Sequence, residues 1–530
     1  MEESKPKFES MEISQPVVVS SPKRNLCCCC CCCKLKLCDL KTLIIIVLII
    51  IILLIFGISL ALALDLDADI DAEVDIDINP GGGGGGDSKK DDDDKDSKKD
   101  DDDHHHDDDE IIENNKYSFN ATYLTSEYNE FVQLINPIYE EYIINMTIDS
   151  ENFTAKTDYY FESIGIHKIS VLMDISMINS IEEMFSEIDK MISISFTTKF
   201  NTENVLNMNS MFSYCTSLTS IEMSKLNTEN LLNAQSMFEG CESLISLDLS
   251  NLNFKSITNM AMIFYEDSKL KSIILPKSGT PSLGTTSEMF GGCESLTSID
   301  LTYLNTDNVF NMKGMFKFCS SLTSIDITHF NTENVMYMSE LFTGCISLTS
   351  IDLSNLNIKK ADNLEGMFDE CISLTNIKFS NWDTKSIKDI SFMFRNCKSL
   401  QSIDVSNFDT SQVTDMSLMF NGCSSLKSLE LKFDTKNVEN MSSMFRGCTN
   451  INSIILTNFE TSNVKDFNEM FHECPNLSYL DISHFSHNGY LENFLEKDYL
   501  PENGTIITNQ VFASKISDSI PSNWEIRFIS

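Results

Sequence analysis

One pair of residues, Met-Phe, returns at a fixed interval along more than half of this chain. It stands at Met211-Phe212, Met237-Phe238, Met289-Phe290, Met315-Phe316, Met367-Phe368, Met393-Phe394, Met419-Phe420, Met444-Phe445 and Met470-Phe471, with Ile263-Phe264 and Leu341-Phe342 in the two gaps. The step is 26 residues throughout, except one of 25 between Met419 and Met444; Met184-Phe185 opens the array in degenerate form, making 12 units. Self-similarity at such a period is the signature of a solenoid. Each unit is too small to bury its apolar edge alone and must stack on its neighbours.

One unit, from Phe200, reads F-N-T-E-N-V-L-N-M-N-S-M-F-S-Y-C-T-S-L-T-S-I-E-M-S-K. Leu218, Ile221 and Met223 have the L-x-x-L-x-L spacing of a leucine-rich repeat. Ile221 and Met223 alternate with Ser220, Glu222 and Ser224, as in a strand with one face turned inward. Upstream, Val205, Met208, Met211, Phe212 and Cys215 recur at three to four residues, which predicts one face of a short helix. Thr202 is its expected N-cap. Gly240, Gly292, Gly344, Gly422 and Gly447, each just before a repeat cysteine, are its expected stop. The expected fold is therefore an α/β solenoid, a horseshoe or arc of about 12 coils that stack at about 4.8 Å per coil.

Cysteine usage divides in two. Cys215, Cys241, Cys293, Cys319, Cys345, Cys371, Cys397, Cys423, Cys448 and Cys474 fall in one column of the repeat, with Asp267 in place of the cysteine in one coil. Parallel side chains about 4.8 Å apart suit neither a disulfide nor a tetrahedral metal site, so these are read as buried free thiols. The other eight, Cys27, Cys28, Cys29, Cys30, Cys31, Cys32, Cys33 and Cys38, precede an apolar stretch and are lipidation candidates; the alternative is a low-complexity tract without a role.

That stretch, 43–64, is 22 residues without a charge. As a helix of about 1.5 Å rise per residue it is long enough to span a bilayer. Lysines and arginines precede it and aspartates follow it, which predicts a single-pass type II arrangement with a cytoplasmic N-terminus and an extracellular solenoid. A cleaved signal peptide is the competing reading, because Ala61-Leu62-Ala63 resembles a cleavage site. From 65 to 115 the chain alternates aliphatic and acidic residues, then runs through six glycines and an aspartate-rich tract holding His104, His105 and His106, a self-repelling spacer.

The formal net charge of −40 argues against nucleic-acid partners. Eight acids fall on the outward strand positions, where Glu222, Asp248, Asp300, Asp326, Asp352, Asp404, Glu430 and Asp481 form a ladder interrupted at Ile274, Lys378 and Ile455. Solenoids generally bind through their concave surface, so this ladder is the candidate ligand-binding face; a solvated acidic face without a ligand is the alternative. Asn120, Asn145, Asn152, Asn440, Asn476 and Asn503 head N-glycosylation sequons and leave the middle coils unmasked. No nucleophile elbow, metalloprotease motif or phosphate loop is present, so neither an enzyme nor a cofactor is expected.

The unit F-N-T-x-N-V-x-x-M-x-x-M-F-x-x-C-x-S-L-T-S-I-D-L-S resembles the BspA-like leucine-rich-repeat surface proteins, over about residues 160–490. The stretch Phe161–Val171 looks like that family's N-terminal cap strand, and Gly504–Ile507 with Ile520–Trp524 like its C-terminal cap. The resemblance implies surface display and adhesion to a protein or glycan ligand. The expected organisation is a tail at 1–42, an anchor at 43–64, a linker at 65–115, a β-rich cap at 116–176, the solenoid at 177–490 and a C-terminal cap at 491–530. A receptor signalling through partners, and an inverted intracellular scaffold, are the competing functions.

Overall fold

A computed structural model describes residues 117–379, 382–429, 431–486 and 489–529. The apolar stretch at 43–64, the cysteine run, the histidine tract and Glu430 lie outside the described residues. Among the described residues no helix is long and apolar enough to cross a membrane.

The array opens on a mixed sheet. β1 (Phe119–Thr125), β3 (Ile143–Ile148), β4 (Glu151–Phe153), β6 (Gly165–Met173), β7 (Met191–Phe196) and β8 (Ser220–Glu222) lie in the order β4-β3-β6-β1-β7-β8. Pairing is antiparallel up to β7 and turns parallel between β7 and β8, so the cap hands its hydrogen bonds directly to the first repeat strand. A separate ribbon of β2 (Glu130–Gln133) and β5 (Asp158–Phe161) flanks this sheet.

The coils are a β-solenoid rather than an α/β one. The short helix expected around Met211-Phe212 is absent, and the one α-helix among the described residues, α1 (Gln510–Ile516), lies after the repeats. In its place each coil carries consecutive tight turns. Met211, Ser213 and Cys215 donate their N–H groups back three residues, to Met208, Ser210 and Phe212. Met208, Ser210, Phe212 and Tyr214, in alternation, donate to carbonyls of the next coil. The alternation needs two left-handed residues per coil, such as Ser210 (φ 53°) and Tyr214 (φ 57°). The glycines expected to stop a helix, among them Gly240 at φ 70°, occupy the second of these places. The reason is width: an α-helix with its side chains is about 10 Å across. The stacked Phe rings of this side are only 5.4–6.0 Å apart from coil to coil. Apolar residues at three- to four-residue spacing fit a ribbon of turns as well as a helix, and the coil repeat excludes the helix.

The rest of the N-T-x-N signature ties coil to coil. Thr202 is buried; its Oγ1 donates to the Asn227 carbonyl (2.9 Å) and accepts the Asn227 N–H (2.8 Å). Thr332 does the same with Asn357. Thr202 is thus an inter-coil clasp rather than a helix cap. Asn204, Asn230, Asn308 and Asn334 reach the other way, each side-chain amide donating to a carbonyl of the preceding coil. Inside lies one continuous core in which Leu, Val, Met, Phe and Cys columns are almost wholly buried. The array closes on β9 (Ser453–Ile455), β10 (Tyr479–Asp481), β11 (Thr505–Thr508) and β12 (Glu525–Phe528), a parallel four-stranded sheet.

Candidate functional site

The strand side of the coils is the long polar face the sequence pointed to. Asp300 and Asp326 are exposed, and so are the Thr297, Ser298, Thr323, Ser324, Thr349 and Ser350 hydroxyl columns beside them. Glu222, Asp248 and Asp404 are exposed too, Asp352 is half-buried, and Asp481 at the end of the array is buried.

The geometry assigns these acids a role that sequence reasoning missed. One carboxylate oxygen of each accepts the backbone N–H two residues on: Glu222 from Ser224 (2.8 Å), Asp248 from Ser250 (2.8 Å), Asp300 from Thr302 (3.0 Å) and Asp326 from Thr328 (3.0 Å). Asp352, Asp404 and Asp481 repeat the bond to Ser354, Ser406 and Ser483. The ladder is thus a column of Asx-type turns that take the chain off the strand. The hydroxyls of the same Ser and Thr residues, and after them these backbone bonds, hold the carboxyls of Glu222, Asp248, Asp300, Asp326 and Asp404 below the usual range. The signal was present as the recurring D-x-S or D-x-T. Asp352 goes lowest, to about 2, because Lys378, which interrupts the ladder, pairs with it at 2.7 Å. In Asp300 and Asp326 the turn uses one oxygen and leaves the other for a partner, whereas in Asp352 Lys378 takes the second oxygen.

Lys277, Tyr303 and His329, from three successive coils, line an open groove along the edge of this face, with Asn305 and Asp307 on its far side. His329 Nε2 lies 3.0 Å from the Leu301 carbonyl, which fixes the ring across the coil boundary. The groove combines a cation, an aromatic ring and hydrogen-bonding groups, and its Thr302 is bonded to Asp300 of the ladder.

The cysteine column is buried and free of disulfides. Each thiol lies 2.9–3.2 Å from the Phe carbonyl of the coil before it, as Cys215 does on Phe185 and Cys474 on Phe445. Burial pushes the Cys215, Cys345, Cys423 and Cys474 thiols up to about 12, so they are inert donors rather than nucleophiles. Asp267 occupies the same column, fully buried; one oxygen accepts the Cys241 N–H (2.8 Å) and the other has no hydrogen-bond partner. Burial drives its carboxyl well above the usual range, which favours the protonated form.

A constellation in the N-terminal cap has the outline of a catalytic triad. His167 Nδ1 is 2.7 Å from Asp149 and its Nε2 is 3.1 Å from Thr125 Oγ1. Thr125 is sealed at 1% exposure, and its hydroxyl already accepts the Gly165 N–H. The group pins β1 to the turn before β6. Among the described residues no three His, Cys, Asp or Glu side chains gather where a metal ion could sit.

Of the sequon residues, Asn152, Asn476 and Asn503 are exposed, and Asn120, Asn145 and Asn440 are half-buried. Two are engaged in the ladders: the Asn440 amide bonds Asp415 (3.0 Å), and the Asn476 amide bonds the Thr449 carbonyl (2.7 Å).

These features define a β-solenoid of leucine-rich-repeat type with polar columns along its strand side. The chain belongs to the family described as "Mycoplasma protein of unknown function, DUF285", whose model matches residues 155–276, 284–403 and 389–489. The resemblance of its repeat unit to the BspA-like leucine-rich-repeat proteins holds. Among solved structures it is similar to a leucine-rich repeat protein from Bacteroides ovatus, at 18% identity over 68% of this chain and 89% of that one, with a TM-score of 0.43. It is also similar to the pneumococcal vaccine antigen PcpA, at 15% identity over 68% and 86% with a TM-score of 0.38. The functional domain of InlJ from Listeria monocytogenes, described as including a cysteine ladder, is similar at 14% identity over 66% and 77%, with a TM-score of 0.16. No curated protein matches the sequence.

Proposed function

We propose that the protein is a membrane-anchored cell-surface recognition or adhesion protein that binds a protein or glycan ligand through the strand side of its solenoid, and that it is not an enzyme. The observation that carries this reading is the strand face itself. It offers coil after coil of exposed hydroxyls and half-used carboxylates, with the Lys277, Tyr303 and His329 groove at its edge. A column repeated in most coils suits an extended ligand surface, whereas catalysis needs one distinctive constellation. The 22 uncharged residues at 43–64, with basic residues before and acidic after, support an anchor with the solenoid outside. In this reading Cys27–Cys33 and Cys38 are acylated on the cytoplasmic side and the exposed Asn152 and Asn503 are glycosylated outside. Protease treatment of intact cells carrying a tag at Ser530 tests it. Loss of the tag without permeabilisation is the expected result. A tag cleaved only after permeabilisation would place the solenoid inside and leave the scaffold reading in its place.

A further inference from the structure

The turn side carries a second pattern. Counting from the coil that begins at Phe200, Tyr214 stands in the first, Tyr265 in the third and Phe318 in the fifth. Tyr214 and Phe318 share one place in the repeat and Tyr265 stands one residue earlier, and the coil after each ring has glycine in that ring's own place: Gly240, Gly344 and Gly291. Each ring rests on the glycine of the next coil. A Cβ on Gly240 would meet Tyr214 Cδ1 at 2.6 Å, and one on Gly291 would meet Tyr265 Cδ2 at 2.8 Å; Gly344 is closed off by Phe318 in the same way. Gly240 and Gly344 also have left-handed backbone, at φ 70° and 73°. Gly291 does not, and Glu239, Lys317 and Thr343 fill its place in other coils. What Gly291 provides is room for the ring of Tyr265.

The rings are partly open to solvent, Tyr214 at 42% and Phe318 at 43%. They recur every second coil, a step of roughly twice the 5.4–6.0 Å between stacked Phe rings, with the half-buried Tyr265 displaced by one residue from the line of the other two. Such a step is close to the length of two linked pyranose rings in an extended chain. Aromatic rings with a polar rim suit the apolar C–H faces of sugars, which stack on them while their hydroxyls seek acceptors alongside. Those acceptors are present. Glu242, Glu266 and Glu294 are exposed beside the track, and Glu239 already accepts the Tyr214 hydroxyl at 2.7 Å. The same carboxylates repel an anionic polymer.

We propose that Tyr214, Tyr265 and Phe318 form a stacking track for an extended, uncharged, β-1,4-linked polysaccharide. The track goes beyond the strand-face reading, because it lies on a different side of the coil and is a second binding surface. Native electrophoresis of the full chain, kept in mild detergent, through gels containing hydroxyethyl cellulose tests it. The polymer should retard the wild-type protein, and carboxymethyl cellulose should not. The triple variant Y214A/Y265A/F318A should bind at least about tenfold more weakly, from the loss of three stacking contacts, with an unchanged circular dichroism spectrum. Gly291→Ala, which displaces only Tyr265, should give a smaller loss. D300N/D326N should leave the retardation unchanged. An unretarded wild type, undiminished retardation of the triple variant, or equal retardation by the anionic polymer would overturn the proposal. Loss in D300N/D326N with retention in the triple variant would also overturn it, by moving the site to the strand face while leaving surface recognition standing.

Discussion

The two sides of each coil are built to different tolerances. On the turn side every Phe of the Met-Phe column, from Phe185 to Phe471, donates its N–H to a carbonyl of the next coil at 2.9–3.1 Å, without interruption through all 12 coils. On the strand side the strands are three residues long, and the coils around Ile299, Ile325 and Ile403 carry no regular strand. The single 25-residue step makes the contrast plain. The missing residue falls between Leu431 and Phe433, on the strand side, where Val405 to Phe408 of the previous coil is one residue longer. Across the same step the turn-side bond from Phe420 to Met444 keeps its 3.0 Å. The turn side therefore sets the coil repeat, and the strand side is free to vary in length and chemistry. The strand side can therefore carry a recognition face without loosening the stack.

That contrast can be broken by substitution. Phe316→Ala on the turn side removes a fully buried ring from the stack and should destabilise the solenoid by about 3–5 kcal/mol. Ile325→Ala on the strand side removes a half-buried residue and should cost clearly less. Chemical denaturation of the two variants decides it, and equal losses would erase the distinction.

Thr332→Val keeps the shape of the clasp but strands the N–H and carbonyl of Asn357, an expected loss on the order of 2 kcal/mol. If the midpoint does not move, the threonine ladder is not part of what joins the coils.

Asp267→Cys restores the column and should stabilise the fold by about 1–2 kcal/mol at neutral pH. Its pH dependence sharpens the test. The folded state raises the Asp267 pKa and holds a proton that the unfolded chain releases near pH 4. The stability it contributes is therefore present at acid pH and lost as pH rises from that value toward the folded-state pKa. The variant should lack this component, so its gain over wild type should grow from pH 4 upward. A gain independent of pH would mean that the carboxyl is not the cause.

The smallest effect is expected on the strand side. Asp300→Asn and Asp326→Asn keep an oxygen for the turn bond while removing the charge, and should change stability by less than about 0.5 kcal/mol. Asp→Ala at the same places should cost somewhat more, because Thr302 and Thr328 lose their acceptor. Ligand binding that survives both Asn variants would remove the acids from the recognition face.

What the sequence determined by itself was the periodicity and everything that follows from it. The number of coils, the inward Leu, Ile, Met, Phe and Cys columns and the outward acid ladder were all legible, because stacking repeats every position identically. The helix was misread, since Val205, Met208, Met211 and Cys215 have a spacing that helices and successive turns share. Only the stacked structure decides between them, because the limit that excludes a helix is the distance between neighbouring coils. Roles of the same kind were hidden for the same reason. Thr202 reaches Asn227 in the next coil, Cys215 reaches Phe185 in the previous one, and Gly291 makes room for Tyr265 from a coil away. Each is an interaction between residues about one repeat apart, which a repeat pattern aligns but does not bring into contact until the coils are stacked.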